Sequence, residues 1–178
     1  MHPQGVAAVC RFLPFSPPVD PRLIVVLHDV RDPGNAGTIL RTADAAGVDA
    51  VVAADPVTDW GNPNVVRASK GTVYAVPVAA ASTAETLGWV RSHGIRLVVT
   101  TPEASDLHTD VDLTGAVAIA VGAEKHGAST RLLESADVRV RIPMSGKANS
   151  LNVGAAAAIV LFEAVRQRMG KRLHLSAP

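Results

Sequence analysis

Apolar and polar positions follow two rhythms along this chain. From Leu23 the run LIVVLHDV has almost no polar interruption and predicts a strand buried on both faces. Asp32-Pro33 comes next, an N-cap residue with a proline at the first helical position. Ala36, Ile39, Leu40, Ala43 and Ala46 then recur at helical spacing until Gly47 supplies a stop. A second apolar run, VDAVVAA, begins at once. Strand, helix and strand in this order predict a βαβ unit and a parallel sheet with a right-handed crossover. The alternation continues with a short helix over 62–70, opened by Asn62-Pro63, a short strand from Tyr74 to Val78 and a helix over 83–93. Strands over 95–100 and 116–121, a short helix over 128–134, a strand from Asp137 to Ile142 and a long closing helix over 151–169 complete it. The predicted class is α/β, a mostly parallel sheet flanked by helices on both faces.

The closing helix carries a stripe: Leu151, Ala155, Ala158, Phe162, Val165 and Met169. This spacing defines one apolar helix face. Such a face packs on its own sheet, or it meets a second subunit; the small residues Ala155 to Ala158 would let another backbone come close. Residues 1–20, with Pro3, Pro14, Pro17 and Pro18 and no helical period, predict a linker or N-terminal arm. The expected division is an arm over 1–20, one domain over 21–170 and a tail over 171–178. The arm resembles the end of a junction to a preceding domain absent from this sequence.

Composition narrows the picture. A length of 178 residues at 48% hydrophobic fits a single ordered domain. The aromatic residues are 2 Trp, 1 Tyr and 3 Phe, too few for a module that stacks successive bases on aromatic rings. Lys and Arg number 17 against 16 Asp and Glu, so any nucleic-acid contact must come from a local basic patch. The single cysteine, Cys10, cannot build an internal disulfide and fits a reducing compartment. No apolar run reaches the roughly 18 residues of a membrane helix. A soluble cytoplasmic protein without a membrane partner is the expectation.

The familiar ligand fingerprints fail. Gly34-Asn35-Ala36-Gly37 is not a G-x-G-x-x-G turn, and Gly146-Lys147 is followed by Ala148 with no glycine at the P-loop spacing. No H-E-x-x-H or paired Cys/His spacing occurs, so no metal is expected. His28 and His126 stand alone, as structural or surface histidines usually do. Three polar, glycine-containing clusters remain, each just after a strand, at the end of a parallel sheet where ligands bind. They are Asn35 to Ala43, Gly122 to Gly127, and Ile142 to Val153. Taken singly they have plainer readings: Asn35 as a turn former, Arg41 as a solvated helix residue, Glu124-Lys125 as an exposed pair, Ser150 and Asn152 as N-caps of the last helix.

Taken in order, Asn35-x-Gly37-x-x-x-Arg41, Gly122-x-Glu124-x-x-Gly127 and Ile142-Pro143-Met144…Ser150-Leu151-Asn152-Val153 resemble the three motifs of the SpoU (TrmH) family of RNA ribose methyltransferases, within the SPOUT class. The resemblance spans about residues 22–169. Gly154 departs from the serine the family often carries there, and Asn149 from a common acidic residue. The resemblance implies a C-terminal deep trefoil knot over roughly 120–165 and S-adenosyl-L-methionine as cofactor. Thr100, Gly122, Ala123, Ile142, Met144 and Leu151 would bind it, largely through backbone groups with apolar walls. It implies methyl transfer to a ribose 2′-hydroxyl, with Asn35, Arg41, Glu124, Ser150 and Asn152 as the catalytic set. Arg41 would assist deprotonation, or hold the adjacent phosphate and stabilise the alkoxide; a guanidinium is a poor base. The implied partners are RNA, ribosomal before transfer RNA, and a second copy of the chain. The RNA would be met by Arg41, Arg67, Lys70, Lys125, Arg139, Arg141 and Lys147. A base-directed methyltransferase and a non-catalytic RNA-binding module of the same fold are the rival readings.

Overall fold

The computed structural model describes Gly5 and residues 15–56, 59–122 and 127–175, with side chains as far as residue 170. The strands are β1 (Leu23–His28), β2 (Ala50–Ala54), β3 (Val78–Ala81), β4 (Arg96–Thr100), β5 (Asp106–Leu107), β6 (Val117–Val121) and β7 (Val138–Arg141). The helices are α1 (Pro33–Ala45), α2 (Pro63–Ala68), α3 (Thr83–Ser92), α4 (Thr130–Ser135) and α5 (Val153–Leu175). All seven strands run parallel in the order β3-β2-β1-β6-β4-β7-β5. β1 sits between β2 and β6, with Val25 opposite both Val51 and Ile119.

The two-residue period of the strands sorts their side chains into two cores. Val25, Val51, Val98, Ile119 and Val140 face α1 and α5, where Ile39, Leu40, Val160 and Leu161 are fully buried. Ile24, Val26, Val52, Val99 and Ala120 face α3 and α4, where Leu87, Val90 and Leu132 cover them. β2 and β6 are therefore apolar throughout, and β1 is so as far as Leu27, which is why the sequence shows runs there rather than alternation. Each helix start is fixed locally. Asp32 accepts the Gly34 N–H at 2.8 Å with Pro33 at the first position, and Asn62 does the same for Asn64 before Pro63. Ser82 and Glu85 form a reciprocal capping box on α3.

Three expectations are corrected. Tyr74 to Val78 is not a strand. After Gly71, at φ +91°, the chain winds through a 3-10 turn at Thr72–Tyr74, and the strand begins at Val78, after Pro77. β5 was not expected; two residues, one charged, carry no period to read. The predicted α5 stripe does not meet the sheet. The buried face is Val153, Ala157, Val160, Leu161 and Ala164, while Leu151, Phe162 and Met169 are 37%, 48% and 60% exposed.

Candidate active site

At the C-terminal ends of β4, β6 and β7 the chain leaves the sheet three times within a small space. Thr100 closes β4, Gly122 follows β6, and Ile142 follows β7 and opens the exposed loop to Leu151. These segments and the first turn of α5 enclose a cavity of about 550 Å³. Clefts of ~300–1,000 Å³ with apolar walls and few polar groups are typical of cofactor sites. Here Val121, Ile142, Leu151 and Ala156 supply apolar wall, and Thr101, Glu103, Arg139 and Ser150 supply polar atoms. Five of the predicted cofactor residues, Thr100, Gly122, Ile142, Met144 and Leu151, line this cavity. Ala123 lies outside the described residues.

One atom here is out of balance. The Thr100 hydroxyl is buried and has no hydrogen-bond partner among the described residues. A buried unpaired hydroxyl costs on the order of 1–3 kcal/mol, and a ligand atom in the cavity would relieve it. Gly122 is required by close approach: a Cβ there would collide with the backbone of Gly127 and Ala128, which closes the turn beside the cavity.

Of the predicted catalytic residues, Ser150 lines this cavity, and Asn152 sits in the chain between Leu151 and Val153, which also line it. Asn152 is the N-cap of α5, and its Oδ1 accepts the N–H groups of Gly154 at 2.9 Å and Ala155 at 3.3 Å. Its Nδ2 donates to Asn35 Oδ1 on α1 at 2.9 Å, tying the third motif to the first across 117 residues. Gly154 thus needs no side chain of its own to start the helix. Gly37 is a packing residue, since a Cβ there would lie 2.7 Å from the Ser69 nitrogen just past α2. Ser150 lines the cavity. Arg41 is exposed on α1 and forms no ion pair with a described residue. Glu124 and Lys125 lie outside the described residues. Of the other expected basic residues, Arg67 bonds Asn64 Oδ1 at 2.8 Å, and Arg139 donates to the Leu133 carbonyl at 3.0 Å while lining the cavity.

Sequence reasoning missed Thr101 and Glu103. The Thr101 hydroxyl donates to Glu103, holding that carboxyl below the ordinary carboxylate range. Their position directly after a parallel strand was the available signal. Among the described residues no group of three His, Cys, Asp or Glu side chains could hold a metal ion.

Known proteins resemble this chain in sequence and fold. A profile described as the SpoU rRNA Methylase family matches residues 22–162. The chain is 34% identical over 160 residues to the 23S rRNA (guanosine(2553)-2′-O)-methyltransferase RlmP of Bacillus subtilis, covering 90% of this chain and 64% of that protein. It is 41% identical over 153 residues to the 23S rRNA (guanosine-2′-O-)-methyltransferase RlmB of Pseudomonas putida, covering 85% of this chain and 62% of that one. The chain thus spans just under two thirds of the length of these relatives. An AdoMet-bound rRNA methyltransferase from Sinorhizobium meliloti superposes with a TM-score of 0.81 at 38% identity, over 86% of this chain and 61% of that one. By profile, sequence and superposition, the chain belongs to the SpoU rRNA methylase family.

Proposed function

We propose that this protein is an RNA (ribose-2′-O-)methyltransferase that uses S-adenosyl-L-methionine, with ribosomal RNA as substrate ahead of transfer RNA. The observation that carries the proposal is the Asn152–Asn35 hydrogen bond beside a cavity lined by both Thr100 and Ser150. It brings the first and third motifs together at one place. The relatives named as 23S rRNA enzymes support the choice of RNA.

The cavity fits the cofactor chemically: an unpartnered Thr100 hydroxyl, apolar walls at Ile142 and Leu151, and exposed backbone after three strands. When bound, S-adenosyl-L-methionine supplies a methyl group already activated by its sulfonium. The chain then has to orient the ribose hydroxyl and handle its proton. Arg41 holds the phosphate next to the target ribose and stabilises the developing alkoxide, whose proton passes to solvent. Asn35, fixed by Asn152, positions that ribose. Ser150 reaches it from the cavity side, and Glu124 completes the set. Ala123 joins the adenine wall.

The same reading extends to assembly and path. α5 leaves Ile159, Phe162 and Met169 exposed on its outer side, a face suited to a second copy of the chain. Residues 120–165 form the deep trefoil knot, consistent with Gly122 and Ile142 bordering one cavity. The catalytic domain spans 21–170, the arm 1–20 joins an upstream RNA-binding domain, and 171–178 is a tail. Work in the cytoplasm is consistent with the absence, among the described residues, of any helix long and apolar enough to cross a membrane.

The test separates binding from chemistry. Calorimetry with S-adenosyl-L-methionine should give saturable binding to the wild type, Arg41→Ala and Asn35→Ala alike. Methyl transfer to ribosomal RNA should fall about 10²–10³-fold in both variants, as for loss of one preorganised charge-stabilising donor. Loss of cofactor affinity in both would overturn the assignment. Full activity of Arg41→Lys at neutral pH would exclude a special role for the guanidinium. Mapping the ribose methylation lost on gene deletion identifies the nucleotide.

A further inference from the structure

A second cleft, of about 350 Å³, opens at the C-terminal ends of β1 and β2, between the starts of α3 and α4. His28, Asp29, Asp55, Thr83, Ser129 and Arg131 line it. None belongs to the three motifs. His28 is the last residue of β1, and Leu27 before it pairs with Val121, which lines the cofactor cavity. Adjacent strands lie ~4.8 Å apart, so the two sites are neighbours along one edge of the sheet. By the two-residue period, His28 shares the face of Ile24 and Val26, opposite the face of α1 and α5.

His28 is only 7% exposed, and its Nδ1 is buried with no hydrogen-bond partner among the described residues. Its other nitrogen, Nε2, lies 3.1 Å from Ser129 Oγ. That hydroxyl accepts the Leu132 N–H as the cap of α4, so its own proton is free for Nε2. Nδ1 then carries the ring hydrogen, a buried donor in need of an acceptor. The carboxylates near it already accept from other donors. Asp55 accepts from the Thr83 N–H at 3.0 Å and the Thr83 hydroxyl at 2.5 Å, and Asp29 pairs with Arg31 at 3.1 Å. Both aspartates sit at φ +52°, a conformation held by the surrounding structure. The exposed Arg131 provides a second donor at the rim.

We infer that this cleft is an RNA subsite for a keto nucleobase, guanine or uracil, next to the nucleotide being methylated. The inference rests on the methyltransferase reading and adds a base-recognition site to it. Guanine and uracil carry a carbonyl oxygen beside a ring N–H. The carbonyl suits His28 Nδ1–H and Arg131, and the N–H suits a remaining lone pair of Asp55. A phosphate would bring its charge against Asp55 and Asp29, and adenine has no carbonyl to offer.

The test uses the full chain and four probes, 5′-GMP, 5′-UMP, 5′-AMP and ribose 5-phosphate. The backbone amides of Asp29, Asp55 and Thr83 are followed by NMR. GMP or UMP should shift them saturably at millimolar concentration, while AMP and ribose 5-phosphate do so far more weakly. His28→Gln places its amide oxygen where Nε2 was and still accepts the Ser129 hydroxyl. It should keep the melting temperature and cofactor affinity yet bind the keto nucleotides about tenfold more weakly, the loss of one hydrogen bond of ~1.4 kcal/mol. If that variant fails to fold, Arg131→Gln serves in its place. The inference is overturned if no nucleotide shifts these amides, if ribose 5-phosphate matches GMP, or if His28→Gln binds as the wild type does. Calorimetry with S-adenosyl-L-methionine on the same samples separates the two ideas: intact cofactor binding with a silent cleft sinks the subsite alone, and absent cofactor binding sinks the methyltransferase reading.

Discussion

At the scale of single residues, the site holds two side chains whose stability and activity effects should separate. Thr100 carries a buried hydroxyl with no hydrogen-bond partner among the described residues. Replacing it by valine removes that polar atom, so Thr100→Val should raise the melting temperature of the free chain while weakening S-adenosyl-L-methionine binding several-fold. Thermal melts and calorimetry on one preparation check both signs. Asn152 does two jobs with one amide, capping α5 through Oδ1 and holding Asn35 through Nδ2. Aspartate caps as well as asparagine, but it has no donor for Asn35. Asn152→Asp should therefore keep its stability and lose turnover, whereas Asn152→Ala should lose turnover and also about 1 kcal/mol of stability. Denaturant melts beside single-turnover rates distinguish them. The plain reading of Asn152 as an N-cap was correct but partial. Its link to Asn35 could not be seen in sequence, because a distance of 117 positions has no local signal. His28 was hidden for the same reason: a lone histidine ending a strand reveals neither its contact with Ser129, 101 positions away, nor the burial of its Nδ1.

At the scale of elements, α5 shows where periodicity runs out. Two stripes on this helix satisfy a 3.6-residue repeat, one through Val153, Ala157, Val160, Leu161 and Ala164, and one through Ala155, Phe162 and Met169. Both are apolar. Only packing against the sheet decides which turns inward, so the sequence located the helix and misassigned its buried face. β1 and α1 were legible because an unbroken apolar run and an Asp-Pro cap are local signals. β3 was not, because Val78–Ala81 is mostly alanine and the preceding winding depends on hydrogen bonds such as Tyr74 N–H to the Gly71 carbonyl. The two faces of α5 predict opposite outcomes. Leu161→Ala opens a void in a fully buried position and should cost ~2–5 kcal/mol by chemical denaturation. Phe162→Glu should leave the fold intact and abolish dimerisation, read as a halved mass by sedimentation.

A third α5 side chain ties this helix, through Gln167, to the segment between β5 and β6. Glu163 accepts Arg166 Nε at 2.8 Å and Arg166 Nη2 at 2.7 Å, and receives Gln167 Nε2 at 2.7 Å. Gln167 in turn holds the Leu113 N–H and the Val111 carbonyl. The Arg166 bond is the main cause that lowers the Glu163 carboxyl below its ordinary 4.5. A depressed folded pKa gives stability that is fully present above the unfolded value and lost as pH falls through the folded one. Glu163→Gln should therefore destabilise the protein at pH 7 and flatten the loss of stability below about pH 4.5. Melts taken from pH 7 down to pH 3 test this.

At the scale of the whole molecule, one edge of one sheet carries everything assigned to function. The cofactor cavity lies at the ends of β4, β6 and β7, and the His28 cleft at the ends of β1 and β2. This placement follows from a parallel sheet, which gathers its outgoing loops on one side. It was the part of the site most readable in advance, because three polar clusters each followed an apolar run. The near-zero charge balance was equally informative, since it pointed to local basic residues rather than to a basic surface.

The position of β6 has a kinetic side. Leu23 pairs with Val117 and Leu97 with Ala118, so the strand that floors the cofactor cavity completes the sheet only after distant parts of the chain have met. Closing such long loops carries an entropic cost before any contact rewards it, and parallel pairing of this range is slow. The cavity does not exist until that closure is complete. A cofactor that binds only the finished sheet stabilises it by mass action. It should thus slow unfolding while leaving the rate of folding unchanged, so the protein lives longer once made but is made no faster.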